Sequence, residues 1–125
     1  MAAETLHMDI SRVHIVTQQD TVVTPFDTGA YASRQSFVTG TAVKECAQQL
    51  KQKILEYART LVPGNVDRLE LEDGYILADG KPAISLEDLA MESYYSLSNS
   101  SVLTAEVSRQ VKKNTVASGC CFAEV

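Results

Sequence analysis

One stretch of the chain shows the apolar periodicity of an amphipathic α-helix. Its apolar residues recur at steps of three and four, and the positions between them are polar or charged. The apolar set is Phe37, Val43, Cys46, Ala47, Leu50, Ile54, Tyr57, Ala58 and Leu61. Because Pro63 restricts the backbone of Val62 and Gly64 permits a turn, the helix is predicted over about residues 35–61. Gly40 is unfavourable inside a helix, so a close packing contact is expected there.

Shorter patterns predict strands on both sides of this helix. Residues 12–17 are rich in β-branched side chains and predict a strand. Residues 66–72 and 75–78 flank Asp73-Gly74, a dipeptide that favours a two-residue hairpin turn. Residues 103–110 and 120–125 predict two more extended runs, separated by a turn-prone stretch around Lys112, Lys113 and Asn114.

The remaining patterns predict turns and helix ends. Ala2, Ala3, Leu6 and Met8 are spaced like the last turn of a helix. After the hairpin, residues 79–82 (Asp-Gly-Lys-Pro) predict a turn. Ser85 with Asp88 resembles a capping box that opens a short helix from Leu86 to about Tyr94, and a polar loop follows at residues 97–101.

These elements predict an α+β fold in two layers, with a mixed β-sheet covered on one face by one long and one shorter helix. A chain of 125 residues, 45% of them hydrophobic, fits a single domain over residues 1–125. A helix end at the N-terminus and strand-like final residues predict an internal fragment of a longer protein. A missing neighbour would leave an apolar face, so self-association of the fragment is expected.

Charge and cysteine usage exclude several classes of partner. Eleven basic against sixteen acidic residues give a net charge of −5, the wrong sign for binding nucleic acid through its phosphates. No apolar run approaches the roughly 20 residues that span a bilayer, so a cytoplasmic protein without a membrane partner is expected. Three cysteines, two of them adjacent, suit neither a disulfide framework nor a thiolate metal site. A metal is therefore expected only within a cofactor.

Candidate chemistry is concentrated in residues 20–34, between the predicted strand and the long helix. The start of a helix presents unpaired N–H groups and the positive end of its dipole, which favour anionic phosphates. Small residues at Gly29, Ala30 and Ala32 would let a ligand approach the backbone, Thr28 and Ser33 offer hydroxyls, and Arg34 offers a guanidinium. The alternative from the residues alone is an ordinary turn in which Ser33 merely caps the helix.

The run DTVVTPFDTGAYASRQSFVTGTAVKECAQQLKQKIL, from Asp20 to Leu55, resembles the signature of the molybdenum-binding subunit of the xanthine dehydrogenase and aldehyde oxidase family. Weaker similarity extends upstream and downstream, and the tail is most similar to the xanthine dehydrogenase branch, in its bacterial form. The resemblance implies that one loop and the first helical turn hold the molybdopterin cofactor. These residues are Gly29, Ala30, Tyr31, Ala32, Ser33, Arg34, Gln35 and Ser36.

The same resemblance implies what the chain would need from elsewhere. The catalytic glutamate of the family has no counterpart in this chain, so no catalytic residue is predicted and the fragment alone is expected to be inactive. Iron–sulfur clusters and FAD are expected on other domains or subunits, and the pterin is expected as such or as its cytosine dinucleotide. The implied parent is an oxidoreductase that hydroxylates purines or related heteroaromatic rings with oxygen from water. The alternative is a small non-catalytic domain that binds an unrelated anion or a partner.

Other residues of chemical interest favour structural roles. In a strand, Cys120 and Cys121 would point to opposite faces, which predicts one buried and one exposed thiol. His14 is expected to be half-exposed in its strand, and His7 has no partner that the sequence reveals. Asp67, Glu70, Glu72 and Asp73 lack the spacing of a calcium loop, so a solvated hairpin face is expected.

Overall fold

A computed structural model of the chain describes residues 1–17, 20–24, 26, 28–110, 115 and 119–124. Its helices are α1 (Ala2–Leu6), α2 (Arg34–Leu61) and α3 (Leu86–Tyr95), with a 3-10 turn at Ile10–Arg12. Its strands are β1 (Leu69–Glu72), β2 (Tyr75–Ala78) and β3 (Lys81–Ser85). Helices packed on a sheet make an α+β arrangement, which confirms the predicted fold class.

Helix α2 runs for 28 residues and ends where the sequence predicts. Val62 has an extended backbone (φ −79°, ψ 116°), as expected for a residue that precedes proline. The buried residues Gly40, Ala47, Ile54, Tyr57 and Ala58 lie along one side of the helix. At Gly40 an added Cβ would lie 2.7 Å from Cε of Met1, so the expected close contact is confirmed.

Three strands form an antiparallel sheet in the order β1-β2-β3, joined by two hairpins. Asp73-Gly74 and Asp79-Gly80 occupy the two turns, each pair with positive φ at both residues, as a type I′ turn requires. The predicted hairpin is therefore confirmed. The described strands pair only antiparallel, because tight hairpins connect each strand to its neighbour. The sequence had predicted a mixed sheet.

The sequence did not predict strand β3, because Lys81 and Pro82 follow Asp79-Gly80 and are typical of a turn. Proline removes a backbone donor and is tolerated in a sheet on an edge strand. Since β3 pairs only with β2 among the described strands, its outer edge leaves room for Pro82. The register also shifts between Ile76 and Leu77, opposite this strand.

The core lies between one face of the sheet and the helices. Leu71 of β1 pairs with Ile76 of β2, and both are buried together with Leu89 of α3. Side chains of α1 and α2 complete the cluster. Its buried members are Leu6, Ala47, Ile54, Tyr57, Ala58, Leu69, Leu71, Ile76 and Leu89. The two layers that the sequence predicts are thus held by one cluster of apolar contacts.

Three predicted extended runs, at residues 12–17, 103–110 and 120–125, form no strand in their described parts. Residues 12–17 do not form a strand: Ile10–Arg12 is a 3-10 turn, and residues 13–17 have no strand pairing. Residues 103–110 and 120–124 are likewise without strand pairing. β-branched residues favour an extended backbone, but a strand also needs a partner, and Ile15 and Val16 are 83% and 88% exposed. The turn-prone stretch at Lys112, Lys113 and Asn114 lies outside the described residues.

The N-terminal residues pack onto the first hairpin turn. The amide of Asp73 donates to the carbonyl of His7 at 2.7 Å, and α1 ends with His7 in a left-handed conformation. The predicted helix end near residues 2–8 is therefore confirmed. The guanidinium of Arg12 crosses Gly74 and pairs with Glu87 in the first turn of α3. Arg12 thus links the leading segment, residues 1–17, to both the sheet and α3.

Helix α3 begins at the predicted cap. The Ser85 hydroxyl accepts from the amide of Asp88 at 3.0 Å and donates to its carboxylate at 2.6 Å. Glu87 and Asp88 place negative charge at the positive end of the helix dipole. The Ser85 cap and the helix start are confirmed, although the Asp88 carboxylate accepts from the Ser85 hydroxyl and not from its amide, and the helix continues to Tyr95, one residue beyond the predicted end.

Tyr57 is the polar exception within the core. It is buried, and among the described residues no partner accepts from or donates to its hydroxyl. Burial raises the pKa of Tyr57, and the charge of Glu92 raises the pKa further. Because a buried hydroxyl without a partner loses its hydrogen bonds to water, this group opposes folding.

Replacing Leu71 tests the core. Leu71→Ala removes a side chain that is 1% exposed and is expected to lower the free energy of unfolding by about 2–5 kcal/mol. Leu97→Ala removes the same atoms from a fully exposed residue and is expected to change it by less than about 0.5 kcal/mol. Urea unfolding of the two variants measures the difference, and equal losses would contradict the assigned core.

Replacing the two turn glycines tests the contact with Arg12. Gly74 and Gly80 have nearly equal φ (79° and 77°), but only at Gly74 does an added Cβ overlap the Arg12 guanidinium. Gly80→Ala should lose about 1–2 kcal/mol from left-handed strain, and Gly74→Ala should lose more. In an Arg12→Ala background the two losses should become equal in urea unfolding. An unchanged difference between them would show that Arg12 does not cross the turn.

Removing the Tyr57 hydroxyl tests its cost. Tyr57→Phe keeps the ring and deletes the unpartnered hydroxyl, so we expect a higher urea midpoint. Tyr95→Phe, at a residue that is 67% exposed, is the matched control and should leave the midpoint unchanged. A lower midpoint for Tyr57→Phe would mean that the hydroxyl makes a stabilising hydrogen bond.

Candidate functional site

The segment that leads to α2 begins with a compact turn at residues 20–24. The Asp20 carboxylate accepts from the amide of Val22 at 2.8 Å, and the Asp20 carbonyl accepts from the amide of Thr24 at 2.7 Å. The Thr24 hydroxyl in turn accepts from the amide of Asp20 at 3.0 Å. Pro25 and Asp27 lie outside the described residues. Local hydrogen bonds of this kind are typical of Asp and Thr in turns.

A second turn, Tyr31 to Arg34, connects directly to the helix. The amide of Arg34 donates to the carbonyl of Tyr31 at 3.1 Å. Both central residues have positive φ, 50° at Ala32 and 54° at Ser33, and Gly29 just before the turn has φ of 88°. Positive φ is uncommon for residues with a side chain, so this turn holds two of them in a costly conformation.

The residue at the N-cap position of α2 does not cap the helix with its side chain. Ser33 occupies the N-cap position, but its hydroxyl makes no hydrogen bond to the helix. The interpretation of Ser33 as a simple cap is therefore wrong in this structure. The first-turn amides, which have no acceptor within the helix, together with the dipole of a 28-residue helix, create a positive potential at this end.

Arg34 adds a formal positive charge at the same place. Its guanidinium donates to the Thr28 hydroxyl at 2.6 Å and lies 4.9 Å from the centre of the Tyr31 ring. These contacts orient the side chain back over the turn, where a cation–aromatic contact helps to hold it. A guanidinium carries five N–H donors, so a hydrogen bond to Thr28 leaves donors for an anion.

The eight residues predicted to hold a cofactor form one continuous surface. Gly29 to Ser33 form the loop, and Arg34 to Ser36 form the first turn of α2. All but the half-buried Arg34 are exposed, including Tyr31 at 53%. Among the described residues, nothing lies within 4 Å of a Cβ added at Gly29, so there is space beside its Cα. The arrangement can hold an anionic group against backbone amides with a guanidinium beside them.

One hydrogen bond to residues 29–36 was not predicted from the sequence. The hydroxyl of Thr115 donates to the carbonyl of Ala32 at 2.9 Å, across 83 positions of the chain. Nothing in the local sequence around Thr115 signals this contact, because it depends on where the tail packs. Thr115 is therefore a contact of the candidate segment that the sequence did not reveal.

The other chemically active side chains make structural or solvent contacts. His7 Nδ1 lies 2.7 Å from the Glu72 carboxylate, a partner that the sequence did not reveal. Cys120 and Cys121 are both exposed, so the prediction of one buried thiol is wrong because residues 120–124 form no strand. Among the described residues, no group of three His, Cys, Asp or Glu side chains could hold a metal ion.

The acidic hairpin residues behave as the sequence predicts. Glu70 pairs with Arg68 at 2.7 Å and Glu72 with His7, while Asp67 and Asp73 are exposed. Exposed pairs of this kind contribute little to stability. Within the described part of the chain, no helix is both long and apolar enough to cross a membrane.

Comparison with known proteins gives the relationship of the chain. Residues 1–125 match the family described as molybdopterin cofactor-binding domain. The chain is 39% identical over 128 residues to the xanthine dehydrogenase molybdenum-binding subunit of Escherichia coli O157:H7, covering 100% of this chain and 17% of that subunit. It is 32% identical over 90 residues to "Probable hypoxanthine oxidase XdhD" of Escherichia coli (strain K12), covering 72% of this chain and 9% of that protein.

The chain thus spans 17% and 9% of the lengths of these two relatives. No solved structure matches it. The family match extends over every residue, from the α1 helix through the exposed loop at the start of α2 to the tail. The chain therefore belongs to the molybdopterin cofactor-binding domain family.

Proposed function

We propose that this chain is part of the molybdenum-binding subunit of an oxidoreductase similar to xanthine dehydrogenase, and that residues 29–36 hold molybdopterin. The observation that carries the proposal is the uncapped start of α2, with the Arg34 guanidinium held beside it by Thr28 and Tyr31. Membership of the family and 39% identity to a molybdenum-binding subunit support the choice of cofactor.

The chemistry of the segment suits the group that it would bind. Molybdopterin carries a phosphate, and phosphates bind well at helix N-termini because amides and dipole both favour negative charge. The amides of Gln35 and Ser36, two exposed residues, would contact the anion, and Arg34 would add a charge-assisted hydrogen bond. Ala30 and Ala32 are small, which lets the rest of the cofactor approach the backbone.

The cofactor, when bound, would supply the two-electron redox centre at which a purine or related heteroaromatic ring is hydroxylated with oxygen from water. The role of this chain is narrower: its residues bind and orient the pterin, and none of them acts on the substrate. Residues 1–125 would form one domain of the cofactor-binding region, and the isolated chain would be inactive. The nucleotide form of the pterin, such as a cytosine dinucleotide, would depend on contacts outside these residues.

The parent protein would need further parts. The rest of the molybdenum subunit would complete the pocket, and iron–sulfur and FAD domains or subunits would remove the electrons. Large exposed apolar side chains support contacts with such neighbours, since exposed apolar patches commonly mark interfaces. The most exposed are Ile10, Ile15, Val16, Val22, Phe26, Leu97 and Phe122, each at least 80% accessible.

Substituting Arg34 in the complete natural protein tests the site. Arg34→Ala removes a guanidinium beside the proposed phosphate, and we expect at least about ten-fold less bound molybdopterin, because charge-assisted hydrogen bonds are strong. The pterin released on denaturation is measured by fluorescence after oxidation. Arg59→Ala, in the last turn of the same helix, is the matched control and should keep the wild-type content.

Two results would count against the proposal in different ways. Full cofactor content in Arg34→Ala would remove residues 29–36 from the binding site. A wild-type protein that contains no molybdopterin when produced in a host that makes it would favour the alternative, a small non-catalytic domain that binds another anion or a partner.

A further inference from the structure

The turn that precedes α2 adopts the more strained of two mirror-image backbone conformations. In a type I′ turn both central residues have positive φ, whereas in the common type I turn both have negative φ, which suits residues with a side chain. Ala32 and Ser33 both have positive φ, although neither is glycine. Conversion to the type I form would turn over the peptide group between Ala32 and Ser33 and relieve the strain at both residues.

The contact from Thr115 opposes this rotation. Its hydroxyl donates to the Ala32 carbonyl, which belongs to the peptide group that would have to rotate. In a trans peptide the C=O and N–H point in opposite directions, so a bond that holds the Ala32 carbonyl also holds the Ser33 amide. The Ser33 N–H is thereby directed away from Thr115.

The tail, which begins at residue 103, contacts α2 before the chain reaches Thr115. Lys53 Nζ donates to the Thr104 carbonyl at 2.6 Å, and Cys46 Sγ donates to the Ala105 carbonyl at 3.2 Å. Further along the tail, Arg109 pairs with Glu45. Residues further along the tail thus contact α2 closer to the N-terminus of the helix. The described contacts of residues 104, 105, 109 and 115 therefore follow α2 in the reverse direction, from the middle of the helix to the turn at its start.

We propose that Thr115 is a positioning residue for the cofactor-binding segment. Its hydroxyl selects the turn in which Ala32 and Ser33 both have positive φ, and so sets the direction of the Ser33 amide and the entry of the chain into α2. This role rests on the proposed function, because the segment that it orders is the one proposed to hold molybdopterin. Thr115 itself makes no contact with the cofactor.

Substitutions in the complete natural protein test this role. Thr115→Val keeps the shape of the side chain and removes the donor, and we expect about five-fold weaker retention of molybdopterin, the effect of one ordinary hydrogen bond. In the cofactor-free protein, hydrogen–deuterium exchange of the peptide containing residues 31–34 should become faster. Thr115→Ser restores the hydroxyl and should restore both properties. Thr104→Val, at an exposed threonine of the same tail, is the matched control.

The outcomes separate this inference from the proposed function. Wild-type cofactor retention or unchanged exchange in Thr115→Val overturns the role of Thr115, as does a Thr115→Ser variant that loses as much cofactor as Thr115→Val. If Arg34→Ala loses the cofactor while Thr115→Val keeps it, the binding site stands and only the positioning role fails. If both variants keep the cofactor, the site assignment fails as well.

Discussion

The packing of one sheet face against α2 is the interaction on which the rest of the structure depends. Leu71 and Ile76 are paired across two strands and buried with Leu89, while Ile54 and Ala58 cover them from the long helix. The free energy of folding comes mainly from removing such apolar surface from water. Because α2 is a continuous helix of 28 residues, burial near its C-terminal half also sets the direction of its exposed N-terminal end.

The two ends of α2 accordingly have different roles. The C-terminal half supplies core residues, and the N-terminal turn is exposed, uncapped and preceded by residues in left-handed conformations. The start of α2 is less stable locally than it could be, because the Ser33 hydroxyl could cap the helix but does not. Backbone strain next to a helix N-terminus is typical of sites that bind a ligand.

The tail and the leading segment show how contacts distant in sequence support that end. Arg12 crosses the first hairpin turn to reach α3, and the tail runs back along α2 to Thr115. Neither segment forms regular secondary structure over most of its described length. Their contribution is instead a small number of polar ties, each joining positions more than 40 residues apart.

The sequence by itself determined the features that depend on neighbouring residues. The apolar period of α2, its end before Pro63, the Asp73-Gly74 turn and the Ser85 cap all follow from local backbone and side-chain chemistry. The small residues at the start of α2 also identified the candidate segment. Tertiary structure alone decided whether extended runs would find partners: residues 12–17 found none, and β3 formed because a second hairpin returned the chain to β2.

The same distinction applies inside the candidate site. That residues 29–36 are contiguous and lead into a helix could be inferred from their order alone. The left-handed turn at Ala32 and Ser33, the orientation of Arg34 over Tyr31 and the arrival of Thr115 could not, because each depends on backbone angles and contacts that local propensity does not favour. A sequence specifies its short-range preferences directly, and only the packed chain determines which of them are overruled.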